Sequence, residues 1–283
     1  MQKASVYDAI TATIVASIES GNAAGAWKMP WHTSGITCPI NAMSKKRYRG
    51  INTLALWATA DREGYGSGTW ATYRQWQDLD AQVRKGEKST MVIFWKVTEK
   101  ETEDDEPEKH FLARSYFVFN ADQVNGYIAP EVPTLDTSER VAQAEQFFTT
   151  LGATVKHGYG MASYSPKYDE IRMPDFERFK SPAYYYGTRA HETVHWSGHE
   201  SRLHRDFSGR FGDAAYAFEE LVAELGSAFL SAELGLTVEP REDHAVYIAG
   251  WLKCLKEDTR AIFTASSKAQ VAVDWMKARQ STV

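Results

Sequence analysis

Cysteine is scarce in this 283-residue chain: Cys38 and Cys254 are the only two and lie far apart. That spacing excludes a disulfide-stapled fold and points to a reducing compartment. No run of about 18 apolar residues occurs, so no membrane span is expected. The opening stretch, MQKASVYDAITATIVASIESG, lacks the unbroken apolar centre of a secretory signal. Asp8 and Glu19 interrupt it, and its apolar positions recur at helical spacing. These absences predict a cytoplasmic protein with no membrane partner. Internal repeats are missing too, and the one biased tract is acidic, EKETEDDEPE at 99–108. What is present, 43% apolar and 24% charged residues, suits a globular chain long enough for two domains.

Charge is unevenly distributed around the net value of −5. Residues 1–130 carry 15 Lys+Arg and 15 Asp+Glu, but seven of those acids fall within 99–108. Outside that tract the region has 14 bases against 8 acids, whereas residues 131–283 have 17 bases against 22 acids. A basic, aromatic-rich first part and an acidic second part predict two domains with different partners. The aperiodic stretch IAPEVPTLDTSE, with Pro130 and Pro133, marks the linker between them. The expected division is 1–127, a linker at 128–138, and 139–283.

The fold class expected is α+β. A mixed N-terminal domain has helices at 5–20, 50–60 and 72–81 and strands at 89–98 and 110–120. The acidic tract reads as a solvated hairpin loop between those strands. A mainly helical C-terminal domain follows. It starts with a serine-capped helix in SERVAQAEQFFTTLG and a small sheet within 153–174. Helices are then expected near 182–199, 213–234, 240–258 and 265–280.

The densest chemistry lies in HETVHWSGHE, residues 191–200. On a helix, His191 and His195 share one face a turn apart, so both imidazoles reach one cation, and Glu192 lies beside them. This is the HExxH arrangement, in which zinc activates water and the glutamate serves as general base. Zn2+ is the expected cofactor, with Mn2+ or another divalent cation as the alternative. A third ligand is expected from FEELVAELGSAFL at 218–230. Glu220 is assigned as that ligand and Glu224, one turn on, as the acid holding a histidine N–H; the reverse assignment is the alternative. Glu219 points elsewhere on the helix by this reading. His199 continues the four-residue series, but a third ligand on the same helix strains tetrahedral geometry. Ser201 occupies the place of the third histidine in the longer HExxHxxGxxH pattern.

The N-terminal part interleaves aromatics with bases in WKMPWH, KKRYRG, GTWATYRQW and VRKGEK. Single-stranded nucleic acid requires that combination, rings for bases and cations for phosphates. Candidate contacts are Trp31, Lys45, Lys46, Arg47, Tyr48, Arg49, Asn52, Trp70, Arg74, Arg84, Lys85 and Lys88. Trp57 and Trp95, inside apolar periodic runs, read as core.

The motifs PWH, PIN, YRGIN, LW, TW.TYRQW, VRKGEK and VFN..QV, in that order, resemble the N-terminal domain of ArdC anti-restriction proteins of conjugative plasmids, a domain also similar to part of plasmid DNA primases. HETVHWSGHESRLHR with the downstream EELVAELGSAFL resembles the zincin-like metallopeptidase domain that follows it in that family. The resemblance covers nearly the whole chain. It implies non-specific single-stranded-DNA binding by the first domain and a SprT/Spartan-like metalloprotease fold for the second. It also implies protection of incoming plasmid DNA from host restriction, with an unidentified protein substrate from the restriction system or bound to DNA. Two rivals remain open at this stage. One is a non-catalytic strand-coating protein whose metal is structural. The other is a nuclease, for which a single-metal site of two histidines and a glutamate is less suited than for amide hydrolysis.

Overall fold

The order of elements follows the expected sequence of helices and strands, and adds strands too short to announce themselves. The computed structural model describes residues 5–23, 29, 31, 38–100, 108–129, 136–209, 213–236 and 244–280. Helix α1 (Val6–Ala23) buries Ile10, Ile14 and Ile18, one turn apart, as the four-residue apolar spacing requires. Strand β1 (Ile40–Asn41) leads through a tight turn into α2 (Ile51–Glu63), whose residues 51–59 are all buried. Strand β2 (Thr69–Thr72) runs into α3 (Tyr73–Asp78), where Thr72 and Gln75 form a reciprocal capping box. Next come β3 (Gln82–Val83), the long strands β4 (Thr90–Lys100) and β5 (Glu108–Asn120), and β6 (Val124–Asn125).

β4 and β5 pair antiparallel from Thr90↔Val118 to Lys100↔Glu108. With β1 and β2 they make a four-stranded sheet of order β1-β2-β5-β4, while β3 and β6 form a separate ribbon. The hairpin is therefore the expected one, lengthened at its solvent end; residues 101–107 of its acidic loop lie outside the described residues. β4 is an edge strand, and Asn52 of α2 closes part of that edge. Its amide donates to the Ile93 carbonyl at 2.7 Å and its side-chain oxygen accepts from the Ile93 N–H at 2.7 Å.

Helix α4 (Thr137–Thr150) opens the second region. Its cap is Asp136, which accepts from the Glu139 N–H at 2.9 Å, rather than the serine expected from the sequence. Asp136 precedes a glutamate three positions on, and the acid wins because it also suits the helix N-terminus. Strands β7 (Thr154–Lys156), β8 (Ser163–Ser165) and β9 (Glu170–Arg172) form the small sheet, ordered β7-β9-β8 with β8 at an edge. Four helices complete the chain: α5 (Pro182–Ser197), α6 (Ala214–Leu234), α7 (His244–Glu257) and α8 (Ala261–Ala278). Among the described residues no helix is long and apolar enough to cross a membrane.

Although the composition changes sharply along the chain, the apolar interior does not. One cluster joins Ile14, Trp31, Leu54 and Trp57 to Phe148, Leu225, Phe229, Trp251 and Val273. Polar ties cross the same boundary. Thr11 donates to the Thr259 carbonyl at 2.7 Å, and the Gly50 N–H donates to Gln270 at 3.1 Å. Helices α1 and α2 thus bury their apolar faces against the C-terminal helices, so each region removes apolar surface of the other from water.

Candidate metal centre

α5 is set up to carry a polar face into the interior. Ser181 caps its first turn, Pro182 occupies the first helical position, and residues 188–197 are buried throughout. α6 starts at an Asp213 cap, ends at Gly235 with φ +66°, and is buried from Glu219 to Ala232. The two helices touch where Gly226 faces Val194. A Cβ on Gly226 would come within 2.8 Å of a Val194 methyl, so only glycine permits this approach. The close crossing brings the α6 carboxylates onto the histidines of α5.

Three side chains converge there. His191 Nε2 and His195 Nε2 are 3.2 Å apart, His191 Nε2 and a Glu220 oxygen 3.3 Å, and His195 Nε2 and the other Glu220 oxygen 3.5 Å. A tetrahedral cation with ligands at about 2.0–2.1 Å requires neighbouring ligand atoms about 3.3–3.4 Å apart. The fit is close, and among the described residues His191, His195 and Glu220 form the one such group of metal-binding type. Each imidazole has its other nitrogen turned to an acid. His195 Nδ1 is 3.2 Å from Glu219, and His191 Nδ1 is 3.7 Å from Glu224. Glu224 thus lies on the far side of the His191 ring from Glu220.

Glu219 does not point away, as its helical position suggests. It faces His195 and is gripped by Arg205, whose Nε and Nη2 lie 3.1 and 2.9 Å from its two oxygens. Arg205 also reaches Ser197 at 3.0 Å. Gly198 makes room for this fold-back, since a Cβ there would meet Arg205 and Phe207 at 2.7 Å. Burial opposes charge on His195, but its hydrogen bonds to Glu219 and Glu220 outweigh burial and lift its pKa to about 10. Burial likewise works against an ionised Glu220, and the two histidines overcome it, holding the carboxyl well below its usual range. A buried pocket in which acids outnumber Arg205 calls for further positive charge. The donor set fits a divalent cation.

A cleft of about 440 Å³ opens onto these residues. Glu192 lines it beside His191 and His195, and the opposite wall comes from Met161–Tyr164 at the edge strand β8, with Phe207 and Tyr216. His199 is turned away, bonded to Ser201 at 2.8 Å, and does not join the cluster. Two of the tyrosines just upstream are engaged in packing. Tyr185 meets His157 at 2.9 Å, and Tyr186 donates to Glu145 at 2.9 Å.

The expected nucleic-acid contacts separate into buried and exposed groups. Trp31, Tyr48, Asn52 and Trp70 are all buried, which corrects their assignment as base-stacking or strand-contacting residues. Trp31 donates its indole N–H to Glu224 at 3.1 Å, Tyr48 and Trp70 pack in a core with Leu56 and Val118, and Asn52 seals the β4 edge. Arg47 and Arg49 pair with Glu233 of α6 and Asp274 of α8. Arg84 binds Glu87 and the Asp122 carbonyl. Lys45, Lys46, Arg74, Lys85 and Lys88 face solvent. Exposed rings occur elsewhere, on the β4–β5 hairpin: Phe94 (50% exposed), Trp95, Tyr116 and Phe117. Trp95 reads as core from the sequence; it is instead 46% exposed, with its ring 6.4 Å from that of Tyr7 in α1.

Comparison with known proteins agrees with this architecture. Residues 4–125 match the family described as the N-terminal domain of anti-restriction factor ArdC, and residues 142–268 match the family described as zincin-like metallopeptidase. The chain is 51% identical over 286 residues to protein y4eC of Sinorhizobium fredii (strain NBRC 101917 / NGR234), covering 98% of this chain and 92% of that one. It is 36% identical to an Escherichia coli DNA primase TraC over 96% of its own length but only 27% of the primase. The metal-free crystal structure of the antirestriction ArdC protein from plasmid R388 superposes with a TM-score of 0.80 at 40% identity, covering 98% of both chains. The Mn(II)-bound form gives 0.79 at 39% identity over 99% of both. With both regions matched in order and the whole fold shared, the chain belongs to the ArdC antirestriction family, an ArdC N-terminal domain followed by a zincin-like metallopeptidase domain.

Proposed function

We propose that this protein binds single-stranded DNA without sequence preference and hydrolyses peptide bonds at the α5–α6 centre, protecting an incoming plasmid strand from host restriction in the recipient cytoplasm. The division assigned to these tasks is 1–127 for DNA and 139–283 for hydrolysis. The observation that carries the reading is the tetrahedral spacing of His191, His195 and Glu220, with Glu192 on the wall of the same open cleft.

Two imidazoles and one carboxylate are a catalytic zinc set, and the Mn(II) in the R388 relative makes manganese the alternative. A divalent cation held by these three side chains supplies the Lewis acidity that makes water nucleophilic at neutral pH. Glu192 takes a proton from the attacking water and returns it to the departing amine. Glu219 and Glu224 fix the ring orientations, so Nε2 of each histidine faces the centre. Among the described residues one edge of β8 has no strand partner, and at the cleft it would offer backbone groups to an extended peptide lying as an added strand. The protein substrate is a component of the restriction system or a protein bound to the entering strand. Tethering to DNA raises its local concentration.

DNA binding is supported by the hairpin rings rather than by the buried tryptophans. Phe94 and Tyr116 meet edge to face at 5.4 Å, Arg114 stands opposite Phe94 across the strands, and Trp95 and Phe117 are exposed on the other face. Lys45 and Lys46 are exposed beside Tyr48, whose ring lies 6.5 Å from Phe94. Flat rings flanked by cations suit a flexible strand.

The test is conjugation into a restricting recipient with wild-type protein and Glu192→Gln. Loss of protection with DNA binding intact supports hydrolysis as the effector. Full protection by Glu192→Gln sinks the peptidase role and leaves strand coating, with a structural metal, as the function. That second reading draws on the shared core, which a cation between α5 and α6 would brace.

A further inference from the structure

We infer that Trp31, from the N-terminal region, is a positioning residue of the C-terminal metal centre and acts on His191 through Glu224. The inference rests on the metal-centre reading proposed above. Trp31 and Glu224 lie 193 residues apart in sequence, yet the indole Nε1 donates to Glu224 Oε1 at 3.1 Å in a fully buried contact. The other oxygen of that carboxylate, Oε2, faces His191 Nδ1 at 3.7 Å. His191 Nδ1 is itself buried with no hydrogen-bond partner, so the Glu224 carboxylate is the group positioned to receive it.

A carboxylate can rotate about its last bond and present either oxygen in many directions. A donor on Oε1 removes that freedom and leaves Oε2 directed at the imidazole. Indole N–H donates and never accepts, so the contact cannot reverse its sense. The second histidine shows the same construction with different parts: His195 Nδ1 faces Glu219, and Glu219 is held by Arg205. Each metal-facing ring thus has an acid behind it, and each acid has an anchor. For His195 the anchor comes from the loop after α5; for His191 it comes from the other end of the chain. Trp31, read from sequence as a candidate stacking ring, contributes a part of the metal centre instead.

Physical consequences follow for metal affinity. Orientation of a ligating histidine by a hydrogen-bonded acid is worth about 10–100-fold in affinity. Removing the anchor while keeping the ring weakens that orientation without removing a ligand. Trp31→Phe is the matching substitution.

The experiment measures Zn2+ and Mn2+ dissociation constants of the full chain by competition with a chromogenic chelator. It compares wild type, Trp31→Phe, Glu224→Gln, the double variant, and Trp57→Phe as a control. Trp57 is a buried indole of the same core, packed on Phe229 at 5.8 Å. The expected result is an affinity loss of about tenfold for Trp31→Phe. Glu224→Gln should lose at least as much, the double variant no more than Glu224→Gln alone, and Trp57→Phe nothing. Equal affinity of Trp31→Phe and wild type overturns the inference. So does additivity in the double variant, or an equal loss in Trp57→Phe, which would make the effect one of packing. If the wild-type chain itself binds neither metal, the metal-centre reading fails first and separately. If Trp31→Phe does not fold, the indole N–H is followed by NMR in the 15N-labelled wild type. A shift of that one resonance on adding Zn2+, absent in Glu224→Gln, supports the inference; an unmoved resonance contradicts it.

Discussion

The α5–α6 crossing and the β4–β5 hairpin place their functional groups under opposite conditions. At the crossing, Glu192, Glu219, Glu220, Glu224, His191 and His195 are all buried, and each distance is set by packed helices. On the hairpin, Phe94, Trp95, Tyr116 and Phe117 stand in solvent on a two-stranded projection. Burial makes polar groups costly unless partnered, so the crossing carries a full set of anchors: Arg205 for Glu219 and Trp31 for Glu224. Exposure leaves the hairpin rings with little to lose on substitution and with surface available for a partner. Chemistry that needs tenths of an ångström is built inside, and tolerant stacking is built outside.

That contrast is open to attack, beginning with the largest effect. Glu192→Gln should reduce peptide hydrolysis by about 10²–10⁴-fold while leaving metal affinity within a few-fold, measured with a denatured protein substrate and a chelator competition. A matching loss of metal binding would instead make Glu192 a ligand. Next in size, Arg205→Ala should destabilise the fold by about 3–5 kcal/mol in chemical denaturation, because it strands Glu219, a carboxylate only 9% exposed. Trp70→Ala, which empties a buried core position, should cost about 3–5 kcal/mol too, and any loss of DNA binding should track unfolding. Phe94→Ala and Tyr116→Ala should behave inversely. Each weakens binding of oligo-dT by about 1–3 kcal/mol and leaves the denaturation midpoint unchanged. If the buried ring mattered for DNA and the exposed rings did not, the division between the two regions would be wrong.

The smallest expected effect concerns pH at the boundary between the regions. Burial pushes the Glu233 carboxyl up, but Lys277 and Arg47 outweigh it and hold the pKa below 4.5. A depressed carboxyl pKa contributes stability above the unfolded value, and that contribution is lost as pH falls through the folded value. Glu233→Gln should therefore lower stability at neutral pH by less than about 1 kcal/mol, since its cationic partners are half-exposed. The deficit should vanish in denaturation curves taken well below pH 4.5.

The two regions also differed in how far the sequence alone exposes them. His191, Glu192 and His195 are legible because a helix fixes where positions four apart must face, and Glu220 because an acid in an apolar helix needs a reason to be there. Glu219 is not legible from the Glu220 face of α6 alone, because it faces His195 from the neighbouring position. The Nδ1 atoms of two rings a turn apart seek acids on both sides of Glu220, one residue before it and one turn after. Three acids, Glu219, Glu220 and Glu224, in the mostly apolar stretch FEELVAELGSAFL are the available signal. In the N-terminal region the tryptophans misled because core and stacking platform use the same residue type. Phe94 and Tyr116 share a strand face with Val92 and Val118, so alternation cannot separate them; only the packing of Tyr48, Leu56 and Trp70 on the two valines does. Strands β1, β3 and β6 have two residues each and leave no period to read. The sharing of one core between the halves is equally invisible in composition, since a linker rich in proline says nothing about what packs across it.

The central claim is that His191, His195 and Glu220 hold one divalent cation. Anomalous diffraction from crystals grown with Zn2+, recorded on both sides of the zinc edge, tests it most directly. The account predicts a single strong peak about 2.0–2.2 Å from both Nε2 atoms and a Glu220 oxygen. No peak at full metal loading, or a peak bound by Glu219 or Glu224 in place of Glu220, would contradict it.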